Sequence, residues 1–163
     1  MSYEKWYEKF FDGPFLDVQQ NTLTAEETKA EVDFIINVLN LEKGMSVLDI
    51  PCGLGRLTLE LAEYGCKMTG LDFTKPYLDI CQKVATERQL DVTLHQGDMR
   101  KPPWLNEFDA ALCVGGSFGY FDDDENEKFI KTVYDTLKPG GRLLLFCHVA
   151  ESLFPMLDRK SVV

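Results

Sequence analysis

The sequence predicts an α/β protein built on a doubly wound parallel sheet. Three observations carry that prediction. Short apolar runs of strand length alternate with amphipathic stretches of helical period. The apolar runs are nearly continuous, as strands covered on both faces require. Glycine, proline and aspartate mark the junctions between each run and the helix that follows it.

The elements follow in chain order. Tyr3, Trp6, Tyr7, Phe10 and Phe11 stand at helical spacing and predict a helix over 2–11, ended by Phe11-Asp12-Gly13-Pro14. Thr24-Ala25-Glu26-Glu27 is a capping box and opens a helix over 24–40, with Phe34, Ile35, Val38 and Leu39 as its apolar face. Ser46–Ile50 reads as strand, Arg56–Tyr64 as helix and Cys66–Leu71 as strand. The next helix starts near Lys75, with Pro76 in its first turn, where a missing N–H costs little. Tyr77, Ile80, Cys81, Val84 and Ala85 form its stripe. Val92–His95 and Phe108–Val114 are strands, and Glu125–Leu137 is a helix with Phe129, Val133 and Leu137 in line. Lys138-Pro139-Gly140-Gly141 reads as a turn before a last strand over Arg142–Val149. Right-handed crossovers then place helices on both faces of the sheet.

A chain of 163 residues suits one domain with a real core. Its apolar and charged shares, 45% and 27%, are those of an ordinary globular protein. No apolar run approaches the ~20 residues of a membrane helix. The aromatic and charged N-terminus has no signal-peptide core. A net charge of −10 repels phosphate backbones and argues against nucleic acid as partner. The five cysteines, Cys52, Cys66, Cys81, Cys113 and Cys147, form no Cys-x-x-Cys pair and are read as free thiols in a reducing cytoplasm, with no metal site.

In doubly wound sheets, ligands bind beyond the carboxyl ends of the strands. The residues with chemical potential gather there. Asp49 stands near the end of the first strand, before Pro51-Cys52-Gly53-Leu54-Gly55. Gly53 and Gly55 let a ligand approach the backbone, and the following helix points free N–H groups at it. The second strand runs into Asp72 and Phe73: a carboxylate for ribose hydroxyls and a flat apolar face for a purine. The third leads to Asp98 and Met99, an acceptor for an exocyclic amine beside a residue that is either an adenine contact or plain packing. The fourth empties into Gly115-Gly116-Ser117-Phe118-Gly119-Tyr120. Singly, each feature is common. In series on one rim they describe a recess for an adenosine with a small charged tail.

VLDIPCGLGR, GLDFTKPYLDICQKVA, HQGDMR, FDAALCVGGSFGYF and LKPGGRLLLF resemble, in order, the motifs of class I S-adenosylmethionine-dependent methyltransferases, over roughly Lys43 to Val149. The resemblance implies a Rossmann-like sheet of about five strands in the order 3-2-1-4-5, with S-adenosylmethionine as cofactor. It implies that Gly53 and Gly55 lie against the methionine portion, with Asp49 supporting the loop or the amino group. It further implies that Asp72 binds the ribose, that Asp98 and Met99 border the adenine, and that Gly115 and Ser117 lie near the sulfonium. Pro51 departs from the glycine common in the family; it is harmless where φ is already negative and the N–H unused.

NAD is the competing cofactor. A dinucleotide fingerprint wants a third glycine where Thr58 stands, and a P-loop would need Gly-Lys-Ser/Thr. Methyl transfer requires alignment and exclusion of water more than a base. His148, near the end of the fifth strand, is the best candidate base, set against the reading of a histidine bonded near a strand end; His95 has a weaker claim. Trp6 and Tyr7 either pack on the domain or form part of a lid.

The resemblance also implies two further strands after the fifth, for which Ala150–Val163 is too short. The chain is therefore expected to be either a fragment with a truncated C-terminal part or a homodimer through the edge strand 142–149 or the tail. The acceptor is expected to be a small molecule. The alternative to an enzyme is a non-catalytic S-adenosylmethionine-binding module.

Overall fold

Thr24 starts the first helix as its capping box requires. Its hydroxyl accepts the Glu27 N–H at 3.1 Å, and its own N–H donates to Glu27 Oε2 at 2.8 Å. Helix α1 (Ala25–Leu39) ends at Asn40 in the left-handed conformation. The computed structural model describes residues 24–147; the expected helix over 2–11, His148 and the C-terminal tail lie outside the described residues. Strand β1 (Ser46–Asp49), α2 (Arg56–Tyr64), β2 (Lys67–Asp72), α3 (Lys75–Glu87), β3 (Val92–Gln96), β4 (Phe108–Cys113), α4 (Asp123–Thr136) and β5 (Leu137–Leu145) follow.

The five strands pair in parallel in the order β3-β2-β1-β4-β5. The chain moves outward from β1 through β2 to β3, then returns to the other side of β1 with β4. That reversal puts the switch point between β1 and β4, and the carboxyl ends of all five strands share one rim.

Period-two alternation divides the core. Val47, Met68, Ala110 and Leu112 face α1 and α2, where Val32, Ile35, Leu39, Leu57 and Leu61 close the layer. Leu48, Leu71, Ala111 and Cys113 face the opposite side, covered by Phe129 and Val133 of α4. Helix α3 lays Cys81 and Ala85 on Leu59 and on the partly buried Leu94. Each large apolar side chain removed from water in this way stabilises the fold by about 1.5–3 kcal/mol. Among the described residues, no helix is long and apolar enough to cross a membrane.

Two expectations need correction. The apolar face of α1 is Val32, Ile35 and Leu39; Phe34 and Val38 are exposed. Steps of three and four place 32, 35 and 39 on one stripe, whereas 34 and 38 sit a residue's rotation away from it. The second correction concerns Lys138–Gly141, which is no separate turn. Strand β5 begins at Leu137, directly after α4, and Leu137 already pairs with Phe108. The next partners are Ala110 and Arg142, so Lys138–Gly141 is a bulged excursion within the strand. Lys138 Nζ anchors it to Asp109 Oδ1 at 2.8 Å, while Asp109 Oδ2 accepts the Ser46 N–H at 2.8 Å. The edge strand therefore carries Lys138 and Pro139, two of the devices that discourage edge pairing.

Candidate functional site

The carboxyl rim holds a cavity of about 290 Å³. Asp49, Pro51, Gly53, Asp72, Phe73, Asp98, Met99, Gly115 and Ser117 all line it, so four separate loops deliver their expected residues to one recess.

The loop after β1 forms the floor. The Ile50–Pro51 peptide is cis. Proline there interrupts no ladder: the flanking Ile50 N–H donates to Leu112 O and the Cys52 N–H to Leu71 O, each at 2.9 Å. Gly53 has φ +54, a region open to glycine, and faces the cavity. Gly55, with φ +79, caps α2 and does not line the cavity. Its missing side chain serves packing instead. A Cβ at this position would stand 2.0 Å from Cys81 Sγ, so only glycine lets α2 start against α3.

Asp49 is almost wholly buried and accepts the Thr58 hydroxyl at 2.7 Å. Burial pushes its carboxyl up to about 7; the Thr58 bond opposes that shift, and the nearby charge of Asp72 adds to it. Thr58 is itself fully buried. The residue that occupies the dinucleotide motif's third-glycine position thus supplies the hydrogen bond that satisfies Asp49.

Asp72 accepts the Gly53 N–H on Oδ2 and the Thr74 N–H on Oδ1, both at 2.8 Å. Burial raises its carboxyl, and those two N–H bonds hold the rise back. Phe73, next in the chain, is 42% exposed and presents its ring at the mouth. Asp98 reaches the cavity from the loop after β3, the strand beside β2, and is bridged to Arg100 at 2.6 Å. Burial acts to raise its carboxyl, but the Arg100 hydrogen bonds carry it below the ordinary value. Met99 lines the cavity and packs into the core with Leu48, Leu71 and Phe129. Ser117 is buried beside Gly115, whose φ is +84.

Several cavity residues were not anticipated from the sequence. Arg56 pairs with Glu31 Oε2 at 2.6 Å and reaches Thr28 Oγ1 at 3.3 Å, tying α1 to the rim. Tyr77 comes from the stripe of α3, where it reads as an ordinary core residue. Tyr120 and Phe121 close the side nearest β4. Burial raises the Tyr120 phenol, and a hydrogen bond from Ser117 partly offsets this. Of the histidines, His95 stands edge-on to Trp104, with ring centres 4.8 Å apart, and does not reach the cavity. His148 lies outside the described residues.

Residues 47–141 match the family model described as Methyltransferase domain. The chain belongs to the class I S-adenosylmethionine-dependent methyltransferase family. Among its relatives, a protein bearing the name methyltransferase YqeM from Bacillus subtilis (strain 168) is 36% identical over 110 residues, covering 66% of this chain and 43% of that protein. The demethylmenaquinone methyltransferase of Paenarthrobacter aurescens (strain TC1) is 29% identical over 138 residues, 83% of this chain and 52% of that protein. The PH0226 protein of Pyrococcus horikoshii OT3 superposes with a TM-score of 0.72 at 25% identity, over 86% of this chain and 67% of that one. The methyltransferase-family chain spans about half the length of the curated relatives it matches.

Proposed function

We propose that this chain binds S-adenosylmethionine in the rim cavity and takes part in transferring its methyl group to a small-molecule acceptor. The observation that supports the reading best is the convergence of Gly53, Asp72, Asp98 and Ser117, from four loops, on one recess of about 290 Å³. Loop after loop, the chemistry suits one ligand. Asp72 offers acceptors to vicinal hydroxyls. Phe73 and Met99 offer apolar surface to a base, with Asp98 at its polar edge. Asp49 offers negative character on the side proposed for the cationic amino group, and Gly115 and Ser117 lie on the side proposed for the sulfonium.

When bound, S-adenosylmethionine supplies an already activated methyl on a sulfonium leaving group. The chain's part is to bind, orient and exclude water. Gly53 allows close backbone approach, Asp72 holds the glycine loop through the Gly53 N–H, and Asp49 holds the first turn of α2 through Thr58. The Tyr120 phenol, raised by burial, stays protonated at neutral pH and acts as a hydrogen-bond donor rather than as a base.

The acceptor class is proposed as a small molecule, because the net charge of −10 disfavours nucleic acid. A cytoplasmic setting suits the five free thiols. A homodimer through the part of β5 from Arg142 onward, beyond the Lys138–Pro139 segment that discourages pairing, is proposed alongside; its outer edge pairs with no second strand among the described residues. Sedimentation as a monomer at micromolar concentration contradicts that dimer.

The alternative reading is binding without turnover. A methylation assay over small-molecule acceptors, run once binding is established, separates the two. Methyl transfer supports the enzyme, and binding without transfer to any acceptor supports the module.

A further inference from the structure

We propose that Arg100 is the positioning residue for purine specificity: it clamps the Asp98 carboxylate so that the cavity distinguishes a 6-aminopurine from a 6-oxopurine. The proposal rests on the S-adenosylmethionine reading above.

The geometry is that of a fork closed on its own turn. Asp98 Oδ1 accepts the Arg100 backbone N–H at 2.9 Å and Nε at 3.0 Å. Oδ2 accepts Nη2 at 2.6 Å and Nε at 3.1 Å. A carboxylate has roughly four acceptor positions. Three Arg100 N–H groups use three of them: the backbone N–H, Nη2 and Nε, whose single hydrogen is shared between the two oxygens; one position is left for a ligand, and the planar guanidinium fixes the plane of the carboxylate, which a lysine ammonium does not. Rotation of Asp98 about its own side chain is thereby stopped, and the Arg100 bonds favour its ionised form, which is an acceptor only.

The same guanidinium reaches two other segments. Nη1 bonds Glu125 Oε2 at 3.1 Å, in the first turn of α4, and the guanidinium carbon lies 4.3 Å from the centre of the Phe121 ring. Asp98, Met99 and Phe121 all line the cavity. One side chain therefore sets an edge acceptor and an aromatic wall of the same recess. Arg100 is only about one-fifth exposed, so the pair is shielded from the screening that weakens surface ion pairs.

The chemical consequence concerns the base. A fixed acceptor favours an amine donor at the purine 6-position and repels a carbonyl oxygen there. A mobile Asp98 could swing toward solvent and tolerate either.

The test is titration calorimetry with S-adenosylhomocysteine and with S-inosylhomocysteine, in which the 6-amino group is replaced by oxygen. Four proteins are compared: wild type, Arg100→Ala, Asp98→Asn and the double variant, each checked by thermal melting. Wild type is expected to prefer the adenosyl ligand by roughly tenfold or more, the scale of a hydrogen bond to a charged group. Arg100→Ala is expected to reduce that preference to near unity, and in the Asp98→Asn background to change it no further. Arg100→Lys, which keeps charge without the fork, is expected to lose most of the preference while folding normally. Equal weakening of both ligands by Arg100→Ala would mean a merely structural role and overturn the inference. So would an undiminished preference in that variant, or equal binding of the two ligands by wild type, although both leave the cofactor reading intact. Failure of wild type to bind S-adenosylhomocysteine would instead overturn the cofactor reading itself.

Discussion

The Gly53 N–H donates to Asp72 Oδ2 at 2.8 Å, so the loop after β1 and the end of β2 are joined by one hydrogen bond at the floor of the cavity. Thr74 N–H takes the other oxygen, also at 2.8 Å. The acceptor proposed for ribose hydroxyls is therefore the same group that fixes the glycine loop. Asp72→Asn keeps the shape but turns one oxygen into a donor, and that donor must face either Gly53 N–H or Thr74 N–H. Affinity for S-adenosylhomocysteine is expected to fall by roughly tenfold or more. Calorimetric titration checks it; unchanged affinity contradicts the ribose role.

Asp49 gives a pH signature. Burial holds its carboxyl near 7 in the folded protein, against an ordinary value of 3.8. Between those values the unfolded chain has released a proton that the folded chain keeps. The group's contribution to stability thus falls as pH rises through that window and levels off above about 7. Asp49→Asn is expected to flatten the fall, by a few kcal/mol at most. Urea unfolding of both proteins at pH 5 and pH 8 measures it. A difference between wild type and variant that is the same at both pH values contradicts the assignment. A cationic ligand beside Asp49 favours the ionised form, so cofactor affinity is expected to rise between pH 6 and pH 8.

Thr58→Val tests the partner of that carboxyl. The swap preserves the volume but removes the hydroxyl donated to Asp49. A loss of about 1–3 kcal/mol in stability is expected for leaving a buried acceptor without its donor. The loss should grow as pH rises through 7, because the bond favours the ionised carboxylate. An equal loss at pH 5 and pH 8 would assign Thr58 to packing alone.

Gly55→Ala tests the seat of α2. The new Cβ would fall 2.0 Å from Cys81 Sγ and 2.9 Å from Cys81 Cβ, at a φ of +79. Strain at positive φ and overpacking together are expected to cost about 2–4 kcal/mol. Adding Cys81→Ala removes the sulfur but leaves the Cβ contact, so it should recover part of the loss. Chemical denaturation of the single and double variants decides; no recovery would mean that the sulfur contact carries none of the cost.

Much of this fold was legible from local signals. Helix α2 runs over Arg56–Tyr64 as expected, because Gly55 and Gly65, both at positive φ, punctuate it at each end. The strand-end carboxylates were legible because parallel strands deliver their ends to one rim. Lys138–Gly141 was misread because proline and glycine report backbone angles, not whether a ladder continues beyond them. The continuation depends on Asp109, which lies on another strand. Phe34 and Val38 misled because a helix with two flanking apolar positions does not reveal which stripe the sheet will take. In the site, Asp98 was visible from its place after β3, but Arg100 was not: two positions apart, the pair meets only because the chain turns back on itself there. At Gly55 the side-chain contact that demands glycine comes from Cys81, 26 residues further along. Tertiary proximity of that kind leaves no local trace.

The most direct measurement is calorimetric titration of the 163-residue chain with S-adenosylhomocysteine and, separately, with NAD. One-to-one binding of S-adenosylhomocysteine, weakened by Asp72→Asn, with no detectable binding of NAD, is the expected result. Binding of NAD in preference to S-adenosylhomocysteine, or no binding of S-adenosylhomocysteine by the folded wild-type chain, would contradict the assignment of the rim cavity.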